Sequence, residues 1–421
     1  MGSIESLIPA VEESFPRFSI TFKDSDRLIL LHANKDVYKI IKSCLKDYNS
    51  EAIKQQVDVA PSIEYRLSGK PFLDIYEKGK ETIGIEAKQL LCQILTELRF
   101  VGWRLESCFS VAENNETTWF FLQSDSDASG SKQNTVCISL IDQNVIQMVQ
   151  GDEELMGLFK EAVERYVSRE RLTRNMHEIT LRRNFFDNPD TRDDHYSELR
   201  LKNGPWAKDE GRVILCRLLT DLAAAGWRLS CSLDIQWQPT EKAIFVLEKR
   251  SPIETQYVAI YPAEKDRIRI ANARKDVAKS LGETLMAFWP VSKPRKWLKS
   301  EVFPVSEVYE CKQFGANPWS GGEKLLETLL VRYQLTALFL KAKSVGFRLV
   351  ATAGLFADDV CDRVNPLDCF IFQEALDEED PEKLEAAALL SKIPRPPTYN
   401  EEEAEAAITT HLWKQGEAML L

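Results

Sequence analysis

The chain has 421 residues, of which 44% are hydrophobic and 28% are charged, and its formal net charge is −11. This length is enough for two to four domains of roughly 100–200 residues each. The acidic balance argues against non-specific nucleic-acid binding, which needs cationic side chains to neutralise phosphates. No apolar run reaches the roughly 18 residues of a membrane-spanning helix. The nine cysteines form no close-spaced framework, which favours a reducing compartment. The sequence therefore predicts a soluble, cytoplasmic protein.

The first six residues, Met1 to Ser6, fit the pattern Met-Gly-x-x-x-Ser/Thr for N-myristoylation, with Gly2 as the acceptor. The alternative is an ordinary chain start that happens to contain small residues. A single myristoyl chain anchors only weakly, and no polybasic cluster follows it here. A lipidated protein would therefore contact a membrane peripherally and reversibly.

The predicted elements follow in chain order from the first strand, Phe18–Phe22. A second strand, Leu28–Leu31, precedes a helix that is capped by Asn34. We predict a third strand at Ile63–Leu67 and a second helix over Ile85–Val101. A final hairpin then pairs Trp103–Val111 with Thr117–Leu122.

A short tetrapeptide directly after this second helix recurs twice in the chain. Gly-Trp-Arg-Leu at 102–105 returns unchanged at 226–229 and with phenylalanine at 346–349, so the intervals are 124 and 120 residues. Each occurrence follows a helical pattern and opens a strand pattern. The repeated residues that we single out are Gly102, Trp103, Arg104, Gly226, Trp227, Arg228, Gly346, Phe347 and Arg348.

The order of elements recurs with the tetrapeptide. In the second segment we predict strands Val136–Leu140, Val145–Val149, Arg228–Ile235 and Ala243–Leu247, with helices Leu155–Tyr166 and Glu210–Ala225. In the third we predict strands Tyr257–Tyr261, Arg267–Ile270, Arg348–Phe356 and Cys369–Gln373, with helices Lys275–Phe288 and Glu323–Val345. Each segment thus has the order ββαβαββ.

This order predicts an α+β fold with three tandem repeats of about 120 residues. Each repeat is a mostly antiparallel sheet with two helices packed on one face, and an acidic C-terminal tail carries a further helix. The predicted boundaries are 1–14 for the N-terminal segment, 15–125, 134–250 and 255–376 for the three repeats, and 377–421 for the tail.

The repeated tetrapeptide has two interpretations. Three aromatic–arginine pairs could line one ligand groove. Alternatively, the glycine ends a helix in the left-handed conformation, the ring seats the helix against the sheet, and the arginine reaches solvent or a helix-end carboxylate. We favour the structural interpretation, because a motif shared by all copies usually encodes the shared fold.

The sequence lacks the common catalytic and metal-binding patterns. The four histidines lie at spacings that place no two of them on one helix face, and no Cys-x-x-Cys, His-Glu-x-x-His, Gly-x-Ser-x-Gly, Walker loop or Gly-x-Gly-x-x-Gly occurs. We therefore predict no metal, no cofactor and no enzymatic activity, although acidic and basic groups can converge from distant positions.

The tail contains Pro396-Pro397-Thr398-Tyr399, which resembles the Pro-Pro-x-Tyr ligand of WW domains. In such a ligand a preformed polyproline II segment docks into an aromatic groove, and the tyrosine fills a second pocket. The resemblance implies a WW-domain partner, such as a HECT-type ubiquitin ligase. The alternative is a proline-rich linker to a last helix, Glu401–Leu420, whose apolar side could dock on the protein itself.

Together these patterns predict a non-enzymatic intracellular adaptor or scaffold. It would be tethered to a membrane through Gly2 and would recruit its partner through Pro396, Pro397 and Tyr399. One alternative is a small-molecule or lipid-head-group binding protein, or an enzyme, with a site in the clefts between repeats. Another is a structural protein whose repeats self-associate.

Overall fold

The structure is a computed structural model with seventeen strands, seven α-helices and one short 3-10 helix among its described residues. It describes residues 17–24, 26–59, 61–69, 71–72, 81–112, 116–123, 135–141, 144–169, 196–201, 205–233, 241–263, 267–288, 296–298, 308–312, 325–353, 369–375 and 380–393.

The strands form three antiparallel sheets. Sheet 1 contains β1 (Arg17–Lys23), β2 (Arg27–Leu31), β3 (Ile53–Val59), β4 (Ser62–Leu67), β5 (Trp103–Ala112) and β6 (Glu116–Gln123). Sheet 2 contains β7 (Thr135–Ile141), β8 (Val145–Val149), β9 (Tyr196–Arg200), β10 (Trp227–Leu233) and β11 (Glu241–Lys249). Sheet 3 contains β12 (Tyr257–Ala263), β13 (Arg267–Ala271), β14 (Lys296–Leu298), β15 (Val308–Lys312), β16 (Phe347–Ala353) and β17 (Cys369–Glu374).

The order of strand pairing is the same in the three sheets. Sheet 1 is ordered β3-β4-β2-β1-β6-β5 and sheet 3 is ordered β14-β15-β13-β12-β17-β16. Sheet 2, read from β9, follows the same order with one described strand fewer. A residue with a left-handed backbone follows the second strand of each sheet: His32, Gln150 and Asn272 have φ angles of 57°, 65° and 60°. The same turn therefore leads out of each opening hairpin.

Seven α-helices connect and cover the strands. They are α1 (Lys35–Tyr48), α2 (Glu81–Phe100), α3 (Glu153–Arg169), α4 (Asp209–Ala224), α5 (Lys275–Ala287), α6 (Leu325–Ser344) and α7 (Pro381–Lys392). The side chain of Asn34 caps α1 as predicted, because its Oδ1 accepts hydrogen bonds from the backbone N–H groups of Asp36 and Val37 at 3.1 and 2.9 Å.

The chain divides into two compact units. The first comprises Met1–Leu158, Glu178–Leu201 and Gly226–Ser251, and the second comprises Phe159–His177, Lys202–Ala225 and Pro252–Leu421.

In the first unit, α2 lies between sheets 1 and 2, and α1 packs beside α2. The helices bury one face on the inward residues of sheet 1, and α2 also packs on β7 and β8 of sheet 2. One continuous apolar core results, in which Phe18, Ile20 and Phe22 alternate along β1 with side chains of the opposite face.

In the second unit, sheet 3 carries helices on both faces. Helices α5 and α6 cover the face that contains Val258, Ile260 and Ile268, while α4 packs on the opposite face along β12 and β13. Helix α7 packs in turn on α6. Each of α2 and α4 therefore covers the opening strands of the sheet that follows it in the sequence.

The α+β class with antiparallel sheets is confirmed, with three differences in detail. Strands β3 and β14 are edge strands that the predicted order ββαβαββ lacks. Helix α2 begins at Glu81, four residues before the predicted start at Ile85. The prediction of helices on one face only is incomplete for sheet 3, where α4 occupies the second face.

Candidate functional site

The three repeated glycines lie at the ends of α2, α4 and α6. Gly102, Gly226 and Gly346 have φ angles of 87°, 89° and 97°, a left-handed region that disfavours side chains with a Cβ atom. The helix therefore stops and the next strand begins at once.

The ring after each glycine is buried. Trp103, Trp227 and Phe347 expose 4%, 2% and 2% of their surface. Trp103 also packs edge-on against Phe18, with 4.8 Å between ring centroids. Rings buried in this way cannot line an open ligand groove, so the groove interpretation loses its basis.

The arginine of each tetrapeptide has a different environment. Arg104 is exposed. Arg228 donates to the carbonyl oxygen of Ser251 from Nε and Nη2, at 3.1 and 2.7 Å. Arg348 lies 3.0 Å from a carboxylate oxygen of Glu382 in α7. The contacts of Arg228 and Arg348 hold neighbouring segments of the chain.

A second set of side chains recurs at fixed distances before the glycines. A basic residue stands fourteen residues before Gly102 and Gly226, a cysteine ten before and a threonine six before. Spacings of four place such residues on one side of a helix. We call these residues the helix stripe; it consists of Lys88, Cys92 and Thr96 on α2, and of Arg212, Cys216 and Thr220 on α4.

In the first unit, the stripe of α2 faces sheet 2. The Lys88 ammonium donates to Oε1 of Gln147 on β8 at 3.4 Å, and both side chains are buried. The hydroxyl of Thr96 accepts a hydrogen bond from the backbone N–H of Thr135 at 3.2 Å. These two contacts fix the position of the helix along the first strands of sheet 2.

In the second unit, the stripe of α4 makes the corresponding contacts with sheet 3. The guanidinium of Arg212 lies over the Tyr261 ring, 4.5 Å from its centroid. The hydroxyl of Thr220 accepts from the backbone N–H of Tyr257 at 3.4 Å. In both units, the basic residue and the threonine of the helix stripe thus attach the helix to the first strands of the following sheet.

A partly buried ionic cluster lies beside the contact between Arg212 and Tyr261. Asp209, the first residue of α4, accepts a hydrogen bond from the Tyr261 hydroxyl at 2.7 Å and pairs with Arg269 at 3.0 Å. Arg269 also pairs with Glu310 at 2.9 Å, and Arg267 lies 3.3 Å from the same carboxylate. Burial, with the Asp209 charge as a second cause, raises the pKa of Tyr261 well above its ordinary value, so the phenol stays neutral.

The first unit has an ionic cluster of its own at the end of α2. Arg99 forms an ion pair with Glu248 on β11, and both side chains are about nine-tenths buried. Glu248 also accepts from Arg250 at 2.7 Å and from the Ser230 hydroxyl at 3.0 Å. The carboxylate thus joins the helix to β10 and β11.

The cysteines of the stripe are core residues. A hydrogen bond with Cys137, together with burial, raises the pKa of Cys92. Burial raises the pKa of Cys216. Raised pKa values keep thiols protonated and poorly nucleophilic. Eight of the nine cysteines lie among the described residues, and none of these eight forms a disulfide.

Helix α7 is attached to the second unit by exposed ion pairs. Glu382 lies 3.0 Å from both Lys343 on α6 and Arg348 on β16, and hydrogen bonding from Lys343, with the Arg348 charge, lowers the Glu382 pKa. The helix begins with an Asp380 cap and ends at Lys392. Ile393 then has φ −71° and ψ 120°, an extended backbone that suits the proline at 394.

The terminal motifs lie outside the described residues. This applies to Gly2, to Pro396, Pro397 and Tyr399, and to the predicted last helix. Within the described part of the chain, no group of three or more His, Cys, Asp or Glu side chains is arranged to hold a metal ion. No described helix is long and apolar enough to cross a membrane.

Comparison with known proteins adds one positive finding. The model of one uncharacterised domain family matches the chain twice, over residues 16–127 and 134–248, which together make up more than half of the sequence. The chain belongs to this family. No curated protein and no solved structure matches it.

The helix stripe was not found from the sequence, although a signal for it exists. Both occurrences stand at the same distances from the repeated glycine, which is Gly102 in the first matched segment and Gly226 in the second. The residues are polar at positions where a buried helix side is expected to be apolar. Aligning the two helices on the glycine would have revealed them.

Proposed function

We propose that this protein is a non-enzymatic intracellular adaptor that recruits a WW-domain partner through Pro396, Pro397 and Tyr399. The proposal is supported by the way the chain leaves α7. The helix is fixed to α6 and β16 by Glu382, and the chain leaves it at Ile393 in an extended conformation. The motif begins three residues later, so it would project from a folded body.

We further propose that the folded body consists of three copies of one domain. The two family matches support the first two copies. The third is supported by the common strand order of sheet 3 and by the left-handed glycine at the end of α6. Three copies would offer one or more binding surfaces while the tail recruits the partner.

Binding of the tail to a WW domain is the direct test. A recombinant WW domain of a HECT-type ligase should bind the full chain, and Tyr399→Ala should weaken binding by at least about tenfold, equivalent to about 1.4 kcal/mol. The physical reason is that the tyrosine fills its own pocket. Isothermal titration calorimetry measures both affinities.

Thr398→Ala is the matched control, because it changes the variable position of the motif and leaves both prolines and the tyrosine in place. It should bind as the unchanged chain does. Equal affinity for the Tyr399→Ala and Thr398→Ala chains, or no binding at all, would rule out the adaptor proposal.

We also propose that Gly2 carries a myristoyl group that tethers the adaptor reversibly. In cells supplied with an alkyne analogue of myristate, the unchanged chain should incorporate the label and Gly2→Ala should incorporate none, because the amide forms on a glycine amine. Ser3→Ala, at a variable position, is the control. Label retained by Gly2→Ala would show that the motif is unused.

A further inference from the structure

We infer that this protein self-associates head to tail, with the face of sheet 1 that points away from α1 and α2 in one molecule receiving the helical side of sheet 3, formed by α6 and α7, from a second molecule. The inference goes beyond the adaptor function and requires neither the lipid nor the proline motif. It follows from a comparison of the three sheets.

The face of sheet 1 that points away from α1 and α2 contains a row of paired residues. Thr21 pairs with Ile29, Ile29 with Glu64, and Glu64 with Val57. Leu31 stands on the same face, two residues along β2 from Ile29. Val57 and Leu31 each expose 39% of their surface, and Thr21, Ile29 and Glu64 are half-buried.

The rows that occupy the same register in the other sheets are covered by a helix. In sheet 2 the row contains Ser139 and Gln147, which are buried where α2 packs. In sheet 3 it contains Tyr261, Arg269 and Glu310, where α4 packs. Two of three equivalent faces therefore receive the second helix of the preceding segment, whereas no helix among the described residues packs in the same way on this face of sheet 1.

The surface that we expect to bind this face lies on α6 and α7. The stripe positions of α6, counted from Gly346, are Arg332, Thr336 and Leu340. Arg332 and Thr336 are exposed, whereas the equivalent Lys88 and Arg212 are buried against a sheet. Helix α7 packs on α6 and adds two exposed leucines, Leu384 at 62% and Leu389 at 42%. The helical side of sheet 3 thus presents a basic residue at the position of Lys88 and Arg212, together with two exposed leucines.

The charges of the two surfaces are also complementary. Arg269 in sheet 3 occupies the register of Ile29 in sheet 1, so Glu64 lacks the neighbour that neutralises Glu310. Glu64 forms an ion pair with Arg27, at 3.8 Å. An arginine at the stripe position, such as Arg332 of a second molecule, would supply the missing positive charge. A second molecule is therefore the occupant that the chain itself specifies.

A head-to-tail contact joins two different surfaces, and this allows a decisive test. One variant, Leu31→Asp with Val57→Asp, blocks the face of sheet 1. A second variant, Leu384→Asp with Leu389→Asp, blocks the helical side of sheet 3. Phe100→Asp is the matched control, since it places the same charge on a residue that is 47% exposed at the end of α2.

Sedimentation velocity of the full chain measures the mass of the associated species. The mass of the unchanged protein and of the control should rise with concentration, while each blocked variant should remain at 48.1 kDa. A mixture of the two blocked variants should form a species of twice that mass and nothing larger, because each contributes one intact surface. Circular dichroism verifies that both variants are folded.

Three results would overturn the inference: an unchanged protein that stays monomeric at every concentration, a blocked variant that still associates, or a mixture that stays monomeric. If a blocked variant fails to fold, substitutions of two charged residues on the two surfaces provide the test instead. Glu64→Arg and Arg332→Glu should each weaken association, and the two changes in one chain should restore it. A doubly changed chain as weak as either single variant would equally contradict the proposed contact.

Discussion

Gly211→Ala is expected to destabilise the protein by about 3 kcal/mol, although alanine is normally the better helix residue. Gly211 lies in the first turn of α4, where the 3-10 helix Pro205–Ala207 crosses it. A Cβ atom at this position would lie 2.3 Å from the carbonyl oxygen of Pro205 and 2.9 Å from the Cα atom of Trp206. These are backbone atoms, so α4 or the preceding turn would have to move.

Gly157→Ala is the control for this prediction. Gly157 lies inside α3, and a Cβ atom there meets nothing within 4 Å. The substitution should raise the free energy of unfolding by about 0.5–1 kcal/mol, because it removes only the conformational freedom of glycine. Urea unfolding followed by circular dichroism compares the two. Equal stability of both variants would show that the approach of Pro205 to α4 is not tight.

Glu248→Ala is expected to cost about 3–5 kcal/mol, the effect of removing one partner of a buried ion pair. The change deprives the buried Arg99 guanidinium of this carboxylate and also removes the contacts with Arg250 and Ser230. The loss should appear as a lower urea midpoint of the unit that contains sheets 1 and 2.

Two further variants test whether the loss of stability in Glu248→Ala comes from the buried charge. Glu106→Ala removes an exposed carboxylate that lies 3.7 Å from Arg17, and it should change stability by less than about 1 kcal/mol. The double variant Arg99→Met, Glu248→Leu should recover most of the lost stability, since no charge then remains buried at this pair. A double variant as unstable as Glu248→Ala would show that packing, not charge, accounts for the loss.

Local chemistry made much of the fold predictable. Asn34 marks the start of α1, and Gly102, Gly226 and Gly346 mark the ends of three helices, because capping and left-handed backbones depend on neighbouring residues alone. Strands with alternating apolar residues, such as β1, were predicted for the same reason. Strand β3 was missed because Lys54, Gln55 and Gln56 break the alternation, as is common for an edge strand.

The side chains at the helix–sheet contacts were harder to predict. Lys88 and Arg212 are long, charged residues, which sequence reasoning places in solvent. They are buried because α2 and α4 each lie on a sheet whose strands come later in the chain. Asp209, Arg269 and Glu310 likewise come from separate elements, and only the pairing register brings them together.

The sequence by itself determined the α+β class, the recurring order of strands and helices, and the glycine that ends each second helix. These features depend on periodicity and on backbone conformation, which act over a few residues. Only the tertiary structure decided that α2 and α4 each bury a basic residue against the following sheet, and that no helix among the described residues packs in the same way on sheet 1. Such contacts join residues about sixty positions apart, as Lys88 and Gln147 are, and no local pattern specifies which element will cover a given face.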